Sequence, residues 1–213
     1  MSGDPTDQRL LERVARGDRP ALDELLSRHR ARLLRTVELR LDRRVRGRLD
    51  ASDVIQEACV EACQRIGEYQ RDSPVPFFVW LRFLAVQKLG QIHRRELGAQ
   101  ARDAGREVTL DRGALPEGSS AVLAEQLIGK LTGPSEAAVR AERKLRLREA
   151  LERLREDDRD VLALRHFEQL SNSEIAHVLG ISESAACRRY VRGLQRLKTE
   201  LAAMPGGLAD WEP

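Results

Sequence analysis

The chain has 213 residues, a third of them charged and only 4% aromatic, which allows one medium domain or two small ones with modest cores. The net charge is only +3, and the pI is about 9.0, so binding of a polyanion must rest on clustered rather than total charge. No run is apolar enough to cross a membrane and Met1–Gln8 is not a signal peptide, so the expected location is the cytoplasm, with no membrane insertion. Three cysteines make no disulfide framework, and the four histidines (His29, His93, His166, His177) show neither catalytic nor zinc spacing. Cys59 and Cys63, four apart on an expected helix, lack His or Cys neighbours and are read as buried small hydrophobes rather than metal ligands.

Leu, Ala, Arg and Glu favour helices throughout, and no alternating strand pattern appears. Leu10, Leu11 and Val14 mark a short helix ending at Gly17, and Asp18 with Pro20 restarts the chain. A long helix follows, with Leu22, Leu25, Leu26, His29, Leu33 and Val37 on its inner stripe. The charged segment Asp42–Asp50 reads as a bend or loose turn. Asp53 or Ser52 then caps a third helix reaching about Ile66, with Ile55, Ala58, Cys59, Ala62 and Ile66 on its core side. Tyr69–Pro76, with Asp72, Ser73, Pro74 and Pro76, reads as a loop. Phe77–Leu97 is a fourth helix, apolar at first and basic at its end, with Trp80 and Leu84 expected in the core.

Gly98–Ser135 is rich in Gly, Ala, Ser and Pro, and is too long for an ordinary loop inside one compact domain. Its weak periodicity (Val122, Leu123, Leu127, Ile128, Leu131) is compatible with a short helix. Further helices are expected near Glu136–Leu154, Asp158–Phe167, Ser171–Leu179 and Glu183–Leu201. The expected fold is therefore all-α. Two small helical domains, over residues 1–97 and 136–203, are joined by a long linker over 98–135, with a tail over 204–213.

The last two helices form a helix-turn-helix. Ser171 and Glu174 make a capping box, Ile175, Val178 and Leu179 an apolar stripe, and Gly180 a left-handed stop. Ser182 caps the second helix, whose Ala186, Tyr190, Leu194 and Leu197 should face inward. Ser184, Cys187, Arg188, Val191, Arg192 and Gln195 then share the opposite face. Arginines there can contact guanine edges in the major groove or charged phosphates. The plainer alternative is a basic helical hairpin with a solvated arginine face.

Two further groups stand out in the first domain. Asp53, Gln56, Glu57 and Val60 lie opposite the core side of the third helix, an acidic and amide patch suited to a basic protein partner, though acidic residues at a helix start also simply complement its dipole. Tyr69, on the expected loop, stands before a helix ending in Lys88-Leu-Gly-Gln-Ile-His-Arg-Arg95. An aromatic and amides beside a basic helix can hold an unstacked base while cations track the backbone. No nucleophile–base pair or phosphate loop is visible, and no cofactor is called for, which argues against an enzyme.

These residues carry a family resemblance. Asp53-Val-Ile-Gln-Glu57, Pro76-Phe-Phe-Val-Trp-Leu-Arg-Phe-Leu-Ala85 and Asp158-Arg-Asp-Val-Leu-Ala-Leu-Arg-His-Phe-Glu-Gln-Leu-Ser171, followed by Glu174-Ile-Ala and Leu179-Gly-Ile, resemble bacterial RNA polymerase sigma factors of the extracytoplasmic-function group. The resemblance covers nearly the whole chain. It implies that Asp53, Gln56 and Glu57 contact core RNA polymerase. It implies that Tyr69 and Gln87 help capture a flipped base of the −10 promoter element, with Lys88, Gln91, Arg94 and Arg95 along the DNA. Ser184, Cys187, Arg188, Val191 and Arg192 would face the −35 element, with Arg189 near the backbone. An anti-sigma regulator is a common further partner of the group. Many members carry a basic residue then Ser where this chain has Cys187 then Arg188, and an Asn where it has Gln87. The main rival is a stand-alone helix-turn-helix repressor or activator, which needs neither the Asp53–Glu57 patch nor the Tyr69–Arg95 segment.

Overall fold

The computed structural model describes residues 4–41, 49–72, 75–97, 120, 124 and 137–205. Every regular element among them is a helix: α1 (Pro5–Ala15), α2 (Arg19–Arg40), α3 (Ala51–Asp72), α4 (Phe77–Leu97), α5 (Ala137–Arg153), α6 (Glu156–His166), α7 (Asn172–Leu179) and α8 (Glu183–Ala202). The expected Asp42–Asp50 bend lies largely outside the described residues, as do most of the 98–135 linker and the 204–213 tail. Within that linker Ser120 and Ala124 are helical and buried. The chain divides into two compact units, Met1–Gly113 with His177–Gly180, and Ala114–Ala176 with Ile181–Pro213.

In the first unit α2 packs against α1, α3 and α4, and α3 lies along α4. The break between α1 and α2 follows from local chemistry. Gly17 takes φ +86°, a left-handed conformation that a side chain would strain. The Asp18 carboxylate then accepts from the Ala21 amide at 3.2 Å, with Pro20 in the first turn. The core draws Leu10, Leu25, Leu33, Val37, Val54, Ile55, Phe77, Phe78, Leu81, Leu84 and Leu89 from all four helices. Most of the expected α2 stripe is buried, including His29, whose Nε2 lies 2.8 Å from an Asp7 oxygen while its ring faces Phe77 and Phe78. Leu22 is half-buried.

Several expectations for α3 and α4 are corrected. Asp50, not Ser52 or Asp53, supplies the cap of α3, its carboxylate accepting from the Ser52 amide at 2.8 Å. The core stripe is rotated toward Val54, leaving Cys59 and Ile66 half-buried, and Cys63 is exposed. Burial, reinforced by the neighbouring thiol, pushes the Cys59 thiol above its ordinary pKa, and partial desolvation of its sulfur with Asp23 nearby does the same to the otherwise exposed Cys63. α3 also runs past Ile66 to Asp72, so Tyr69 stands on the helix rather than on a loop. Its last turns are held by Arg65, which pairs with Glu61 and Glu68 at 3.1 Å each, and by the Gln70 amide donating to the Leu11 carbonyl at 3.2 Å. Leu84 is buried as expected, whereas Trp80 is only half-buried.

In the second unit α8 packs on α5 and α6 over Leu147, Leu151, Val161, Leu164 and Ala186. The capping box forms as expected: Ser171 N donates to Glu174 Oε2 at 2.8 Å and Glu174 N donates to Ser171 Oγ at 3.1 Å. Gly180 takes φ +63° and Ser182 Oγ accepts from the Ala185 amide at 3.2 Å. Leu194 departs from expectation. It is 38% exposed, because the line of closest approach on α8 runs through Ala186, Gly193 and Leu201 instead. A Cβ on Gly193 would lie 3.2 Å from the Asp158 carbonyl oxygen.

Candidate nucleic-acid interface

Asp53, Gln56 and Glu57 are all exposed on one face of α3, and Val60 beside them is 54% exposed, an apolar residue set in a polar surface. An open groove runs from this face to α4, lined by Asp53, Glu57, Val60, Glu61, Gln64 and Lys88 among others. The Lys88 ammonium sits 3.4 Å from Glu61 and 3.9 Å from Glu57. Sequence alone groups Lys88 with the DNA-facing residues and Glu57 with the protein-facing ones. The packing of α3 on α4 makes them neighbours.

Further along α4, Gln87, Gln91, Arg94 and Arg95 are exposed at helical spacing and form one polar, basic face. Tyr69 lies elsewhere. Its hydroxyl donates to the Val75 carbonyl at 3.1 Å, and its ring packs edge-on to Phe77 at 5.5 Å and tilted against Trp80 at 4.8 Å. Burial raises its phenol to about 12. Gln87 is two helical turns beyond Trp80, about 10 Å along the axis. Tyr69 is thus half-buried in an aromatic cluster at the start of α4, and Trp80 shares its edge, a neighbour that core periodicity alone assigns to the interior.

On α8, Ser184, Cys187, Arg188, Val191 and Gln195 are exposed in one row. Among the described residues Arg188 makes no ion pair. The other two arginines of the expected set are held. Arg189 reaches Asp157 at 3.6 Å. Arg192 grips Asp158 Oδ1 through Nε at 3.1 Å and Nη2 at 3.0 Å. Arg196 donates to Asp158 Oδ2, and Arg155 lies 3.4 Å from the same oxygen. The Asp158 side chain is wholly buried. Burial pushes its carboxyl up, but the hydrogen bonds from Arg192 and Arg196 outweigh this and hold it below its ordinary value. Sequence reasoning missed Asp158 as a partner, since it stands 34 residues from Arg192.

The chain is similar to known proteins over nearly its whole length. Residues 25–96 match the family described as Sigma-70 region 2, and residues 144–197 match Sigma-70, region 4. These two segments in this order define a sigma-70-type initiation factor. The chain is 34% identical over 203 residues to the ECF RNA polymerase sigma factor SigD of Mycobacterium tuberculosis, covering 95% of this chain and 87% of that one. It is 32% identical over 195 residues to the RNA polymerase sigma-H factor of Pseudomonas aeruginosa, covering 92% and 93%. A solved structure of CnrH in complex with the cytosolic domain of CnrY matches with a TM-score of 0.52 at 22% identity, covering 93% of this chain and 99% of that one, a likeness of fold. The chain belongs to the extracytoplasmic-function (ECF) family of RNA polymerase sigma factors. Its partners are core RNA polymerase and promoter DNA, and it directs the one to the other. The stand-alone repressor reading is not favoured, because a duplex reader has no use for a region 2 segment.

Proposed function

We propose a division of labour between the two helical domains, residues 1–97 and 136–203. In the first, the exposed Asp53, Gln56 and Glu57 face of α3 docks on core polymerase. The α4 face of Gln87, Gln91, Arg94 and Arg95, flanked by Lys88 and by the aromatic cluster around Tyr69, meets the −10 element and stabilises its opened strand. Unstacking a base costs a few kcal/mol, which stacking and backbone cations offset. In the second, α8 enters the major groove of the −35 element with Ser184, Cys187, Arg188 and Val191 foremost, while Arg189 and Arg192 are held back by Asp157 and Asp158 of α6. Neither reader needs high affinity alone, since polymerase holds both at a fixed separation and raises the effective concentration of the second contact.

The observation that carries this reading is the row on α8, exposed on the second helix of a helix-turn-helix, with Arg188 free of ion pairs among the described residues. The protein has no catalytic step of its own and works in the cytoplasm. Among the described residues no helix is long and apolar enough to cross a membrane. CnrH is solved in complex with the cytosolic domain of CnrY, which supports a further protein partner here, and an anti-sigma factor is the regulator expected in that place.

The test is transcription in vitro from a library of genomic fragments, with start sites mapped. Core polymerase plus this protein should initiate at a set of sites sharing two upstream elements, and core polymerase alone should not. Tight binding of duplex DNA without any association with core polymerase would sink the reading in favour of a repressor.

A further inference from the structure

Arg188, Arg192 and Arg196 recur every fourth residue along α8, so the sequence presents them as one basic stripe. The structure splits that stripe. Arg188 is exposed and makes no ion pair among the described residues. Arg192 and Arg196, one and two turns further on, close on the two oxygens of Asp158 from α6. Between them stands the buried Gly193, where α8 lies close against α6: a Cβ there would meet the Asp158 carbonyl oxygen at 3.2 Å. The carboxylate is therefore gripped beside a close contact of the two helices, and it is wholly buried.

We propose that Asp158 is a positioning residue for upstream-element recognition: by holding Arg192 and Arg196 against α6 it fixes the seat of α8 and leaves Arg188 as the arginine that reads bases. This rests on the reading that α8 meets the −35 element. A DNA phosphate competing for Arg192 would leave a buried carboxylate short of a partner, which is the expensive outcome for a buried ion pair. Among the described residues Arg188 has no such partner to give up. Arg192 and Arg196 therefore contribute to specificity by their absence from the groove. Freed, they would add phosphate attraction that is blind to sequence.

The experiment uses holoenzyme assembled from core polymerase and the full chain. Its probes are a duplex carrying the upstream element of a promoter recovered by library transcription, and the same duplex with that element scrambled. Affinity for both is measured across a salt series. Arg188→Ala should lower the ratio of cognate to scrambled affinity about tenfold, as loss of one base contact does. Arg192→Gln, which leaves Arg196 and Arg155 on Asp158, should keep that ratio within about twofold. Asp158→Asn should tighten binding to the scrambled duplex, steepen the salt dependence by about one counterion per released arginine and reduce the ratio. Adding Arg192→Gln to Asp158→Asn should partly restore ratio and slope. A collapse of the ratio in Arg192→Gln overturns the proposal, because Arg192 then reads bases. So does an Asp158→Asn protein that weakens on both duplexes equally with unchanged slope and no rescue, which is the mark of a merely structural residue. If Arg188→Ala leaves the ratio intact, the assignment of α8 to the −35 element fails with it, and that single variant shows it separately.

Discussion

Two carboxylates on α3 separate a docking role from a structural one. Asp53 lies in the first turn of α3, where a negative charge complements the helix dipole, and Glu57 follows one turn later with Lys88 at 3.9 Å. The dipole contribution of such an exposed group is about 0.3–1 kcal/mol, and an exposed ion pair adds about as little. Asp53→Ala/Glu57→Ala should therefore cost no more than about 1–2 kcal/mol in urea unfolding and leave the helical signal intact. If the face docks on polymerase, the same pair of substitutions removes acceptors from the contact and should abolish co-elution with core enzyme. A variant that loses the small increment of stability yet co-elutes as before would reduce both residues to dipole partners.

At the scale of elements, the helices show which sequence signals were sufficient. Caps were legible where the whole interaction lies within three or four residues: Asp18 on α2, Ser171 with Glu174 on α7, Ser182 on α8. The cap of α3 was not, because Asp50, Ser52 and Asp53 can each serve and only the geometry chooses Asp50. Nor was the end of α3. The prolines after it mark a loop, but the turns through Tyr69 are held by tertiary partners, Leu11 and Val75, that periodicity does not see. The inner face of α8 differs from its pattern at Leu194 for a related reason. A glycine reads as an absence in a hydrophobic pattern, yet Gly193 is where α8 meets α6. The candidate −35 row was legible as a helical face, while the partners that withdraw Arg189 and Arg192 from it come from α6. Glycine substitutions put this on a measurable footing. Gly67 is exposed within α3, and a Cβ added there would have nothing within 4 Å. Gly67→Ala should therefore stabilise by about 0.5–1 kcal/mol through helix propensity alone. Gly193→Ala has the same propensity gain but meets a backbone oxygen at 3.2 Å and Leu162 at 3.4 Å. It should fall at least about 1 kcal/mol short of Gly67→Ala in chemical denaturation. Equal gains at both positions would mean that α8 can lift from α6 freely.

For the whole molecule, the proposed pair of readers can act as one only if promoter DNA presents both elements on the correct side at the correct distance. Each unit has its own helical core, and the recognition face proposed for the second is a single short row on α8. Such a row follows one stretch of major groove, and duplex DNA turns once in about 10.5 base pairs. Inserting about five base pairs between the two promoter elements rotates the upstream one by about half a turn, out of reach of a domain held on polymerase, and also moves it about 17 Å along the axis, since each base pair rises about 3.4 Å. Initiation on the altered promoter should then fall at least as far as the Arg188→Ala protein falls on the unaltered one, because the insertion removes the whole α8 row and the substitution removes one contact of it. Combining the two should reduce it no further, as expected for two lesions in a single interaction. If Arg188→Ala lowers initiation further on the altered promoter, Arg188 acts there through something other than the upstream element. If it costs nothing, the linker lets that domain follow the displaced element, and fixed separation is not the source of the second contact's advantage.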